Sequence, residues 1–239
     1  MTRMKNILAV LLLAAPVAAQ AQIPVFCGEH KYDGEHKNEI SGYLQAGKNI
    51  VTDKYIGPAV LYTHHFTDRI SAEGGLDLPF GKGKVGVSAK GTYRLPVSWM
   101  NFYFSAKFLY NRYTEYKTNE YNGNISTTFE TPYFDLTLGE SLITYAMLGA
   151  RYTEPLTFTF GTGVNIRPRW NSWNLGLFVR NYDDFYFENW NINWGVRWMA
   201  NLQKRMKLYG ELNIRPAGST SQLASRYETS LKVGLKYVW

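Results

Sequence analysis

The sequence predicts an all-β protein whose strands close into an antiparallel, up-and-down, membrane-spanning barrel, and three observations support this prediction. Many segments alternate between apolar and polar side chains, which is the period of a strand with one buried face. The clearest segments have about ten residues, which is longer than a usual soluble strand and enough for a tilted strand to cross a bilayer. Past the N-terminal segment, no stretch approaches the run of about 18 apolar residues that a membrane-spanning helix needs.

The N-terminal segment has the features of a secretory signal peptide. Arg3 and Lys5 precede an apolar run from Ile7 to Ala19, and Ala19-Gln20-Ala21 offers a small-residue cleavage site. The apolar run is too short to span a bilayer comfortably. We therefore predict a signal peptide over residues 1–21, a periplasmic segment over 22–38 and a barrel over 39–239.

Twelve segments carry the strand pattern. The four clearest are 70–80, 85–95, 102–111 and 190–198, and the weaker ones are 39–50, 55–66, 124–138, 141–152, 155–167, 172–181, 206–216 and 226–239. A turn over 81–84 would pair Phe80 with Val85, and a turn over 67–69 would pair Phe66 with Ile70. Both registers put the apolar faces of neighbouring strands on the same side, as a sheet with one apolar face requires.

An even strand number with alternating short and long connections is typical of bacterial barrels. With a periplasmic C-terminus, the long connections 114–123, 182–187 and 217–225 fall outside the cell, and the shorter 67–69, 96–99 and 201–205 fall on the periplasmic side. The segment 124–138 is the least regular, because its alternation fades around Thr131-Pro132. If that segment is a loop, ten strands is the alternative.

The last strand alternates most regularly. Its large apolar side chains share one face and both of its lysines share the other; the apolar set is Leu231, Val233, Leu235, Tyr237 and Trp239. A strand that ends on an aromatic residue resembles the C-terminal assembly signal of small bacterial outer-membrane β-barrel proteins, carried here by Leu235, Tyr237 and Trp239. This resemblance implies location in the bacterial outer membrane, contact with outer-membrane lipid and recognition by the β-barrel assembly machinery.

The polar faces of the strands predict a lumen richer in base than in acid. Glu73 and Asp77 would lie diagonally opposite Lys90 and Arg94, within reach of ion pairs. Four further bases are the candidates for an ion pathway: Lys107, Arg151, Arg180 and Arg197. The charged residues would either fill a narrow barrel as an ion-pair ladder or form a cationic lining that favours anions.

These observations favour a narrow passive pore or transport barrel of the porin type, with a basic lumen that passes small anionic solutes. The alternative is a closed structural barrel, or one that binds a ligand through outside loops such as Tyr182-Asp183-Asp184-Phe185-Tyr186. Strand number does not decide between them, because eight strands leave a filled interior and about sixteen leave an aqueous channel.

Other activities have less support. A third interpretation is a lipid-modifying hydrolase that uses His65, Ser71 and Glu73, but no catalytic signature accompanies this trio, so we predict no enzyme. Nucleic-acid binding is not expected, because the bases alternate along strands instead of clustering on an accessible face. Cys27, His30 and His36 lie close together in a tail without a fixed second shell, and we predict neither a metal nor a cofactor.

Overall fold

The computed structural model describes residues 37–49, 53–78, 84–97, 100–114, 117–167, 172–187, 192–214 and 229–239. Within these ranges no helix is long and apolar enough to cross a membrane. The described strands are β1 (Asn38–Asn49), β2 (Asp53–His65), β3 (Ile70–Asp77), β4 (Lys84–Val97), β5 (Met100–Tyr113), β6 (Thr118–Glu130), β7 (Phe134–Met147), β8 (Ala150–Thr153), β9 (Thr157–Asn165), β10 (Trp173–Arg180), β11 (Tyr182–Asp183), β12 (Tyr186–Phe187), β13 (Asn193–Gln203), β14 (Met206–Ile214) and β15 (Thr229–Val238).

Twelve of these strands form a closed antiparallel barrel in chain order. The wall consists of β1 to β7, β9, β10 and β13 to β15, while the short β8 extends the β9 side of β7. β15 closes the barrel by pairing with β1, from Glu39 opposite Val238 to Lys48 opposite Thr229. Closure pairs the strand edges that a membrane would otherwise leave without hydrogen-bond partners. The predicted twelve-strand up-and-down barrel is therefore confirmed.

The two faces of the wall differ as the alternation predicts. On β4, Val85 and Val87 are exposed while Ser88 and Lys90 are buried. The same alternation runs the length of β15. Its odd-numbered side chains from Leu231 to Tyr237 are exposed, while Lys232 and Lys236 are buried. The barrel thus has an apolar outer surface and a polar lumen.

The predicted bounds of the sixth and seventh strands were wrong. β6 ends at Glu130 and β7 begins at Phe134, so the predicted strand 124–138 contains a turn. In this turn Thr131 Oγ1 accepts a hydrogen bond from the backbone nitrogen of Phe134 at 3.0 Å. The predicted strand 141–152 likewise contains the turn at Leu148 and Gly149, where both residues have positive φ. Both strands begin earlier than predicted, so the total remains twelve.

Of the two predicted registers, one is confirmed and one is displaced. His65 lies opposite Ser71, which is the pairing that a turn over 67–69 implies. Between β3 and β4, however, Glu73 lies opposite Lys90, whereas the predicted pairing put Gly75 there. The difference is two residues, and an even shift keeps every side chain on its own face. The connecting residues 79–83 lie outside the described part of the chain.

An irregularity separates β8 from β9. Thr153 lies opposite Thr144 and Thr157 lies opposite Ser141, so the register changes by one residue across 154–156. A change of one residue exchanges the two faces of a strand. Arg151 therefore lies opposite Ala146, on the outward face of the wall.

Candidate functional site

The chain leaves the wall after β10 and enters the lumen. Asn181 ends the strand by bonding twice to the same edge of β9: its Nδ2 donates to the Phe158 carbonyl at 2.7 Å, and its Oδ1 accepts from the Phe160 nitrogen at 2.8 Å. The following hairpin, β11 and β12 with their turn (residues 182–187), is called the lumen hairpin here. Its residues from Tyr182 to Phe185 are all buried. The prediction that 182–187 is an outside loop was therefore wrong.

Two neighbouring aspartates attach the lumen hairpin to the wall. The Asp183 carboxylate pairs with Lys232 on β15, and it lies 3.6 Å from Arg180 on β10. The Asp184 carboxylate accepts a hydrogen bond from the Tyr43 hydroxyl on β1 at 3.0 Å and lies 3.5 Å from Lys232. Lys107 on β5 donates to the Asp184 carbonyl oxygen. The hairpin is thus held from β1, β5, β10 and β15.

The wall provides space where the hairpin's aromatic rings lie. A Cβ at Gly75 would be 3.1 Å from the Phe185 ring, and one at Gly86 would be 3.2 Å from it. On the other side, a Cβ at Gly161 would be 2.7 Å from the Tyr182 ring. At Gly161 a side chain would occupy the volume of the Tyr182 ring, whereas at Gly75 and Gly86 it would first meet Ser88 Oγ and Asn111 Oδ1 and then the Phe185 ring. This fit indicates that the hairpin has a built seat in the lumen.

Most of the other buried charges are also paired across strands. Arg197 on β13 lies 2.6 Å from Asp135 on β7 and donates to Asn165 Oδ1 at 3.1 Å. Further pairs join Lys90 to Glu73 at 3.3 Å, Lys236 to Glu39, and Arg180 to Glu211. These contacts match the ion-pair ladder that the sequence allowed.

The predicted excess of base in the lumen is not found. Among the described residues, eight acidic and six basic side chains are buried; the acids are Glu39, Asp77, Glu120, Glu130, Asp135, Asp183, Asp184 and Glu211, and the bases are Lys90, Lys107, Arg180, Arg197, Lys232 and Lys236. The prediction missed the acids of β6 and β7 because those strands were misplaced. It missed Asp183 and Asp184 because their loop was placed outside the barrel.

The predicted pathway residues divide into two groups. Lys107, Arg180 and Arg197 are buried in the lumen, as expected. Arg151 is exposed and lies on the outward face, which corrects its assignment to the lumen. The irregularity over 154–156 is the physical reason, since it reverses the alternation from which the assignment was made.

The predicted ion pairs at β3 and β4 are realised in part. Lys90 contacts Glu73 from the directly opposite position, not diagonally. Arg94 donates from Nε to Asn101 Oδ1 at 2.9 Å, so this contact is with an amide and not with one of the predicted acids. Asp77 is buried on the lumen face of β3.

One side of the lumen is polar but mostly uncharged. On β6 the inward side chains of Asn122, Asn124 and Ser126 are buried, with Glu120 and Glu130 beyond them. Tyr113 and Tyr103 donate to these two glutamates at 2.9 and 2.8 Å. Sequence reasoning missed this surface because it placed half of β6 in a loop.

The contacts of His65 and Glu73, two of the hydrolase candidates, go to residues outside that trio. His65 Nε2 lies 2.9 Å from Glu39, which also pairs with Lys236. Glu73 accepts a hydrogen bond from Thr63 at 3.2 Å and pairs with Lys90. The described residues contain no group of three metal-capable side chains, and Cys27, His30 and His36 lie outside the described ranges.

The side chains of the predicted assembly signal lie on the outer surface. Leu235, Tyr237 and Trp239 are each exposed by more than two fifths of their surface. The rings of Tyr237 and Trp239 stack with centroids 5.8 Å apart, and Tyr62 of β2 lies 6.2 Å from Trp239. Aromatic residues at this position are typical of the girdle at a membrane interface.

Comparison with solved structures supports the architecture. The KdgM porin is 12% identical with a TM-score of 0.57, over 84% of this chain and 99% of that chain. The COG4313 outer membrane channel from Pseudomonas putida F1 is 12% identical with a TM-score of 0.56, over 92% of this chain and 100% of that chain. The chain has the fold of an outer-membrane β-barrel. The NanC porin shares this fold at 10% identity with a TM-score of 0.53, over 84% of this chain and 98% of that one. No protein-family model and no curated protein matches the sequence.

Proposed function

We propose that the protein is a narrow pore of the bacterial outer membrane, through which small polar solutes pass down their concentration gradient and in which the lumen hairpin restricts passage. The observation that carries this proposal is the closed twelve-strand wall with an apolar outer face and a polar lumen. The likeness to porins and an outer membrane channel supports it. The protein would need outer-membrane lipid around its wall and the assembly machinery for insertion.

The contents of the lumen define the kind of pore. Twelve strands give an interior between that of a filled eight-stranded barrel and that of a porin with an open channel. Here the lumen hairpin occupies part of this interior, reaching from Lys107 on β5 to Lys232 on β15. Because most of the buried bases have acidic partners, we expect only weak selectivity between simple anions and cations.

The test is conductance of the purified full-length barrel in planar lipid bilayers. The native protein should give small, discrete current steps in potassium chloride. A variant in which a short glycine-serine link replaces residues 182–187 should give larger steps, because the hairpin no longer occupies the lumen. Asp68→Asn is the matched control, since Asp68 is an exposed acid in the turn between β2 and β3 and should leave the steps unchanged.

One observation favours a second candidate, a closed structural barrel. The lumen hairpin makes contacts on several sides of the lumen, so the wall and hairpin together leave little free space at that level. A complete lack of current in both the native protein and the shortened variant would select this candidate. The version in which Tyr182 to Phe185 bind a partner from outside is not supported, because these side chains are buried.

We also propose that the protein is not an enzyme. The contacts described for His65 and Glu73 support this. His65 bonds to Glu39, which also pairs with Lys236, and Glu73 accepts a hydrogen bond from Thr63. None of these contacts links a nucleophile, a base and an orienting acid in sequence. A lipid-hydrolysis assay that compares the native protein with Ser71→Ala tests the proposal. Hydrolysis that Ser71→Ala abolishes would overturn it.

A further inference from the structure

The group that holds the lumen hairpin has the chemistry of a carboxylate-binding site. Its donors are the ammonium groups of Lys107 and Lys232, the guanidinium of Arg180 and the hydroxyl of Tyr43, and all four side chains are buried. Charged donors and a hydroxyl are the groups that bind carboxylates most strongly in a site that excludes water. The four residues are called the carboxylate cluster here.

The carboxylate cluster belongs to the wall and not to the hairpin. Its members come from β1, β5, β10 and β15, and continuous pairing within the barrel sheet holds each of these strands. The two carboxylates come from a separate segment, whose own pairing is limited to Tyr182 with Phe187 and Asp183 with Tyr186. The cluster can therefore stay assembled when the hairpin moves away.

The charges of the wall and the hairpin are complementary. The wall contributes three bases to the cluster, and Glu211 pairs with one of them, Arg180. Asp77 faces Tyr43 from β3, and the neighbouring Lys90–Glu73 pair is neutral as a whole. With both wall acids included, three bases against two acids still leave the wall one positive charge in excess, and the hairpin's two carboxylates more than offset it. Withdrawal of the hairpin would leave this charge in a confined space, where it attracts an anion.

The geometry points to Asp183 and Asp184 as an internal mimic of the solute: the carboxylate cluster is the binding site of the pore for small molecules that carry two carboxylates, and such a solute competes with the lumen hairpin for it. This inference rests on the proposed pore function and adds its solute class and its control. Solute binding displaces the hairpin, since both require the same donors. Neutral and cationic solutes do not displace it.

The experiment uses the full-length barrel in detergent with succinate as the probe, and with acetate and erythritol as comparison solutes. Calorimetric titration measures binding to the native protein and to Asp183→Asn/Asp184→Asn. The double variant should bind succinate about tenfold more tightly than the native protein, because its hairpin has lost both charge-assisted contacts and competes less well. Adding Lys232→Gln to the double variant should remove this gain. Acetate should bind more weakly than succinate, and erythritol should not bind.

Glu130→Gln is the matched control, because Glu130 is a buried lumen acid that bonds to Tyr103 and takes no part in the carboxylate cluster. This variant should bind succinate as the native protein does. Heat-modifiable mobility in gels establishes that every variant is folded. Equal succinate affinity of the native protein and the Asn double variant, or affinity that Lys232→Gln leaves unchanged, would overturn the inference.

The same proteins in planar bilayers separate this inference from the pore itself. Succinate added on the side from which the lumen hairpin enters the barrel should increase the current through the native protein, because it displaces the hairpin. It should decrease the current through the Asn double variant, because the solute then occupies the vacated site. Currents without any succinate effect would overturn the carboxylate site and leave the pore standing. Tight binding without currents would overturn the pore and leave the carboxylate site standing.

Discussion

Replacing Arg197 by methionine measures how dry the lumen is at the level of the Arg197–Asp135 pair. The two side chains are each about 5% exposed and lie 2.6 Å apart, and methionine keeps the apolar stem of the arginine without its charged guanidinium. The variant leaves Asp135 buried without its cation. Breaking a buried pair in this way costs about 3–5 kcal/mol, whereas an ion pair in water is worth about 0–1 kcal/mol. From the burial of both partners we expect the larger loss.

The assay is equilibrium unfolding in urea of the barrel inserted in lipid vesicles, followed by tryptophan fluorescence. Arg69→Met is the control, since Arg69 and Asp68 form an exposed pair with a separation of 3.9 Å and the loss should stay within about 1 kcal/mol. Asp135→Leu combined with Arg197→Met should recover part of the stability, because no unpaired charge remains. A loss for Arg197→Met as small as that of the control would refute the reasoning and show that water surrounds the pair.

Three further substitutions test the outer face, the last strand and the hairpin seat. Leu76→Arg should lower the free energy of unfolding in lipid by about 2–4 kcal/mol, because Leu76 is 48% exposed on the outward face; a loss below about 1 kcal/mol would place it outside the apolar band. Changing Tyr237 and Trp239 to Asp should reduce the amount of heat-modifiable barrel in the outer-membrane fraction, and normal amounts would contradict an assembly role. Gly161→Leu should enlarge the single-channel current by displacing Tyr182, and an unchanged current would show that Tyr182 is not seated there.

The barrel could be predicted because its signal is local. Each strand shows its two faces within a few residues, as Val85 and Ser88 do on β4, and a shift of two residues between β3 and β4 leaves these faces unchanged. The signal fails where the outward residues are small or polar. On β6 the outward positions include Asn119 and Gly123, so the start of this strand resembles a loop.

The lumen hairpin could not be predicted, because its signal is spread over the whole chain. Asp183 and Asp184 follow a strand and precede aromatic residues, a pattern that also fits an exposed loop. Their partners Lys107 and Lys232 are far away in sequence and come together only when the barrel closes. The lumen bases Lys90, Lys107, Arg180 and Arg197 were correctly placed from the alternation, yet which acids they meet depends on this tertiary arrangement.

The irregularity over 154–156 has a consequence for any scan of this strand with cysteine and a membrane-impermeant thiol reagent. Along β9 the labelling should follow a period of two, with lumen and lipid positions alternating. Across the irregularity the phase of this signal should invert. A cysteine in place of Tyr152 should label like one in place of Tyr145 on the lumen face, and a cysteine in place of Arg151 should label like its outward neighbours. A phase fitted to β9 and extended towards the β7–β8 turn would therefore assign every residue of β8 to the wrong side of the wall.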